Sequence, residues 1–117
     1  MNGLAYKIHR EEKATIMRLT MSNITVEENE ELKKAFSDLL YEGSKNIVLD
    51  LSDTTFVSSV ILASLVFMLK RAKEAGGDLV ICGAKGRVKD ILVMTNLDKV
   101  FGTFDDAQKA ITHYTQK

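Results

Sequence analysis

Two adjacent hydroxyls, Ser58 and Ser59, stand at the start of an apolar run in the stretch TTFVSSVILASLVFMLK, residues 54–70. A serine can be a nucleophile, a helix cap or a phosphoacceptor, and its neighbours decide which. The serine elbow of hydrolases is framed by glycine, because only small neighbours permit its strained turn. Here Val57, Val60 and Ile61 surround the pair, so serine hydrolysis is not expected. The other two roles both belong at a helix start. There a hydroxyl oxygen accepts from a backbone N–H, and an added anion is electrostatically favoured.

The remaining reactive groups are scattered. His9 and His113 lie near opposite ends of the chain and Cys82 is the only cysteine, so local spacing offers no zinc site and no triad. Cys82 sits within DLVIC and reads as a small core residue. Gly83-Ala84-Lys85-Gly86 has the spacing of the GXXG loop with which KH domains clamp nucleic acid. That loop joins two helices, whereas this one follows a strand, so a strand-to-helix turn is the expectation. Walker spacing is absent. Glu27, Glu28, Glu30 and Glu31 crowd a helix start, where acids are favoured in any case. No catalytic, metal or cofactor site is expected, and the chain reads as a non-enzyme.

Composition agrees. Sixteen basic and sixteen acidic residues give a formal net charge of zero, which disfavours general binding to nucleic acid or acidic membranes. The N-terminal stretch has no continuous apolar segment of the signal-peptide kind. The longest apolar run is shorter than the roughly 20 residues a membrane helix needs. A cytoplasmic protein is expected, with one domain over residues 1–117, monomeric or weakly dimeric.

The elements that must position the serines are legible from periodicity. AYKIH and ATIMRLT read as a hairpin turned by REEK. Leu32, Ala35, Phe36, Leu39 and Leu40 recur at helical spacing, opened by a Thr25/Glu28 capping box and closed at Gly43. NIVLDLS and DLVIC read as strands buried on both faces. A helix beginning near Ser58 ends at Gly76-Gly77, with Lys70, Arg71 and Lys73 near its negative end. A third helix carries Val88, Ile91 and Leu92 on one face and stops at MTNL, with Asn96 expected in the left-handed conformation. VFGTF reads as a last strand, and DDAQKAITHY as a final helix capped by Asp105 and Gln108. Strands alternating with helices predict an α/β fold: an N-terminal hairpin, then a mostly parallel sheet packed by about four helices.

One segment now carries a resemblance. A strand ending Asp50-Leu51-Ser52 leads to Phe56-Val57-Ser58-Ser59-Val60-Ile61-Leu62 and a helix closing on Gly76-Gly77. LVIC, VKDIL and MTNLDKVF follow. From Asn46 to Phe101 this order resembles the STAS domain family, specifically the bacterial anti-sigma factor antagonists. The resemblance implies a STAS-like α/β fold and a partner-switching role. In that family the unphosphorylated antagonist binds an anti-sigma factor, often itself a serine kinase, and so releases the sigma factor. Phosphorylation breaks the complex, and a PP2C-type phosphatase restores it.

The family's phosphorylated serine falls on Ser59, with Ser58 as the alternate. Ser58 stands where the family has aspartate, while Ile61 and Asn96 each stand where it has glycine. Ser58, Ser59, Ile61 and Leu62 are the expected partner-binding residues. The other reading is a phosphorylation-independent STAS scaffold, or a regulatory subunit of a transport or lipid-trafficking assembly, with both serines acting only as caps.

Overall fold

The computed structural model describes residues 3–115. Strands β1 (Tyr6–Arg10) and β2 (Thr15–Leu19) form the expected antiparallel hairpin, with Tyr6 opposite Leu19 and Arg10 opposite Thr15. The Glu11 N–H closes its turn on the Ala14 carbonyl at 2.8 Å. There follow α1 (Val26–Tyr41), β3 (Asn46–Asp50), α2 (Ser59–Glu74), β4 (Asp78–Cys82), α3 (Gly86–Met94), β5 (Thr103–Phe104) and α4 (Ala107–Thr115). The five strands lie side by side in chain order, and β2 through β5 run parallel.

Side-chain alternation divides the core. Met17, Leu19, Ile47, Leu49, Leu79 and Ile81 pack with residues of α1, α2 and α3. Ile16, Val48, Val80 and Cys82 pack with Ala110 and Tyr114 of α4. Successive strand residues point to opposite faces, so a strand apolar at every position needs helices on both sides. That is why β3 and β4 lack polar alternation. Burial also pushes the Cys82 thiol up to about 12, with the negative charge of Asp50 adding to the effect. The thiolate is the reactive form, and here it is suppressed.

The helix boundaries follow the local chemistry. Thr25 caps α1: its hydroxyl oxygen accepts from the Glu28 N–H, and Glu28 Oε1 accepts from the Thr25 N–H at 2.7 Å. At the end of α2, the Gly77 N–H reaches the Ala72 carbonyl at 2.8 Å and the Gly76 N–H reaches Lys73 at 3.0 Å. That reciprocal pair is the Schellman closure. Gly83 to Gly86 form the turn from β4 into α3. The expected Asp105/Gln108 box is displaced by one residue. Asp106 Oδ1 accepts from the Lys109 N–H at 2.9 Å, so Asp106 is the cap. The helix starts only after β5 has paired Phe104 with Cys82, and Asp106 then stands just before Ala107, the first helical residue. β5 itself keeps only two residues of VFGTF.

Asn96 has φ 63° and ψ 15°, and is the non-glycine residue with positive φ among the described residues. Asn96→Gly is expected to be neutral or slightly stabilising in thermal melts. Asn96→Val is expected to cost about 1 kcal/mol or more, because a β-branched side chain resists this conformation. Equal melts for the two variants would contradict the account of this turn.

Candidate functional site

The two serines stand on a braced platform. At the end of β3, Asp50 Oδ1 accepts from the Ser52 N–H at 2.9 Å, which turns the chain out of the sheet. The loop that follows is laced to the segment entering α1. Thr54 Oγ1 donates to the Met21 carbonyl at 3.1 Å, and the Thr55 N–H donates to the Ser22 carbonyl at 2.8 Å. Phe56 bridges to Asn23 as a single parallel pair. Arg18 grips Asp53 through two nitrogens, at 3.0 and 3.2 Å. Val57 is buried beneath. Ser58 therefore enters α2 from a fixed direction.

Ser58 is the cap. Its backbone is extended (φ −89°, ψ 170°), its carbonyl accepts from the Leu62 N–H at 3.0 Å, and its Oγ accepts from the Ile61 N–H at 3.4 Å. The last contact is long, so Ser58→Ala is expected to cost at the low end of the usual range, about 0.5–1 kcal/mol, in chemical denaturation. A loss above about 2 kcal/mol would mean that Ser58 does more than cap.

Ser59 is the first residue of α2 and is exposed. The leading N–H groups of a helix have no intrahelical acceptor, and the first turn of α2 contains no acid. A phosphate on Ser59 would meet the positive end of the dipole with no neighbouring acid in that turn to repel it.

Two of the four expected partner-binding residues lie on the inner side of α2. Ile61 and Leu62 are 1% and 8% exposed and belong to the core, so their side chains offer a partner little or nothing. Ile61, Leu62, Leu65, Met68, Leu69 and Ala72 form the face of α2 turned toward the sheet. The outward residues beside Ser59 are instead Val60, 43% exposed, and Ala63, with Val66 and Phe67, 49% exposed, one turn further on. Their spacing could have marked them, but the run from Val60 to Leu69 is apolar almost throughout and conceals which side is outside.

The described residues contain no group of three or more His, Cys, Asp or Glu placed to hold a metal. None of their helices is long and apolar enough to cross a membrane. Taken together, the fold and site describe an α/β platform that presents the Ser59 hydroxyl at a helix start, beside exposed apolar side chains.

In sequence, residues 5–110 match the STAS domain, and the chain belongs to the STAS domain family. Its relatives lie among the anti-sigma factor antagonists. A Thermotoga neapolitana protein provisionally named as one is 32% identical over 79 residues, covering 68% of this chain and 70% of that protein. The crystal structure of a similarly named Thermotoga maritima protein superposes with a TM-score of 0.83 at 27% identity, covering 96% and 94% of the two chains. The Bacillus cell-fate determinant SpoIIAA, solved in its phosphorylated form, shares the fold with a TM-score of 0.72 at 12% identity, covering 93% and 98%.

Proposed function

We propose that this protein is a partner-switching anti-sigma factor antagonist whose unphosphorylated form binds an anti-sigma factor, and that phosphorylation of Ser59 ends the binding. The observation that carries this reading is the position of Ser59: exposed, first in α2, and relieved of capping by Ser58. Phosphorylation adds about −1.5 to −2 charges at pH 7. The free antagonist accommodates them at the helix N-terminus. In a closed interface the same charge must lose its water or meet repulsion. A penalty of about 3–4 kcal/mol weakens binding several-hundred-fold.

On this reading the protein performs no chemistry of its own. An anti-sigma factor with serine-kinase activity modifies it, a PP2C-type phosphatase resets it, and the exchange takes place in the cytoplasm, where ATP is at hand. The test is to incubate the protein with the cognate kinase and ATP and to locate the phosphate by mass spectrometry. Phosphate on Ser59 is the expected result. Phosphate on Ser58 would move the switch by one residue. An unmodified protein that still binds its partner would leave the scaffold role.

A further inference from the structure

The two edges of the sheet are treated differently. β5 is only two residues long, and a very short strand offers little to pair with. β1 is five residues long and pairs on one side alone, with β2. Its register runs one for one from Tyr6 opposite Leu19 to Arg10 opposite Thr15, so no bulge twists it away. The chain contains no proline to block it. Apart from Ile8, every residue of β1 is exposed.

The hairpin fixes which backbone groups are free. The Thr20 N–H donates to the Ala5 carbonyl at 2.9 Å, and the Glu11 N–H to the Ala14 carbonyl at 2.8 Å. Hydrogen-bonded pairs alternate along an antiparallel ladder, so Lys7 and His9 also turn their backbone groups towards β2. The N–H and C=O groups of Tyr6, Ile8 and Arg10 therefore point outward. These three residues are spaced evenly about Ile8.

We propose that β1 pairs antiparallel with β1 of a second copy, about a two-fold axis at Ile8, joining the two five-stranded sheets into one. Ile8 meets its own counterpart, and Tyr6 stands opposite Arg10 of the other copy. All three residues then exchange both backbone hydrogen bonds across the axis.

The side chains favour a copy of this chain as the occupant. On the α1 side, the 41% exposed Tyr6 ring receives the Arg10 guanidinium of the other copy. On the opposite side, Lys7 has Arg18 across from it, already held by Asp53. No carboxylate pairs with Lys7 among the described residues. In the paired edge its diagonal neighbour is Glu11 of the other copy, a distance that long side chains span. A two-fold axis makes each such contact twice. The pairing does not depend on the switch, since α2 follows β3, two strands in from this edge.

Sedimentation velocity from roughly 10 μM to 1 mM, the range of weak association, is expected to show the parent chain passing from monomer towards dimer. Arg10→Pro removes an outward N–H and leaves the β2 ladder intact. It should stay monomeric over the same range and melt close to the parent. Lys7→Glu should weaken association about ten-fold, because like charges then meet on both sides of the axis. Adding Glu11→Lys to Lys7→Glu should restore the parent's affinity, which a purely local effect of either change would not do.

A parent chain that remains monomeric at the highest concentration would overturn the proposal. So would an Arg10→Pro variant that dimerises like the parent, or a dimer that Phe67→Glu dissolves, which would place the contact on α2. Failure of Glu11→Lys to rescue Lys7→Glu would overturn the register about Ile8.

Discussion

Ser59→Glu is expected to fold as the parent chain does and to bind the anti-sigma factor about a hundred-fold less tightly, a loss near 3 kcal/mol. Ser59→Ala should fold equally well, bind like the parent and accept no phosphate at this position. The contrast follows from where the side chain stands. Ser59 makes no cap, since Ser58 Oγ takes the Ile61 N–H, so truncating it removes no interaction that the fold uses. A carboxylate at the first helical position is tolerated by the dipole in the free protein. In a closed interface it would lose its water, where a charge without a partner is costly. Calorimetry on the two variants checks this directly. Affinities within two-fold of each other would remove charge as the basis of the switch.

Gly77→Ala should be the most damaging small substitution in the fold. A Cβ at Gly77 would stand 1.9 Å from the Lys45 carbonyl oxygen and 2.4 Å from its carbon. Those atoms are backbone and cannot rotate away. The Asp78 N–H also donates to the Lys45 carbonyl at 2.9 Å, so relieving the clash disturbs the start of both β3 and β4. A loss of about 3–5 kcal/mol is expected, which lowers the melting temperature of a domain this size by roughly 12–20 °C.

Neighbouring Gly76 provides the control. Its φ of +85° disfavours a side chain, but the Cβ would lie 4.0 Å from the nearest atom, the flexible Lys45 Nζ. Gly76→Ala should therefore cost only about 1–2 kcal/mol. Equal melting temperatures for the two variants would show that the close approach at Gly77 relaxes.

What could be read from the sequence follows from where local chemistry decides the outcome. The Thr25/Glu28 box, the glycine closure of α2 and the left-handed Asn96 are each set within a few residues, and each is found as expected. The apolar runs of β3 and β4 implied a sheet covered on both faces, as α4 and the other three helices provide.

The misses occurred where tertiary packing chose among locally equal options. Asp105 and Asp106 are equally good caps on paper, and the pairing of β5 with β4 selects Asp106. Every rotation of α2 about its axis would bury apolar residues, so the sequence could not say that Ile61 and Leu62 face the sheet while Val60 and Phe67 face outward.

The most direct test of the central claim uses the phosphate itself. The protein is phosphorylated to completion at Ser59, its affinity for the anti-sigma factor is measured, and the measurement is repeated after phosphatase treatment. The account predicts binding several-hundred-fold weaker in the phosphorylated form, with full affinity restored when the phosphate is removed. Equal affinities before and after phosphatase treatment would contradict it.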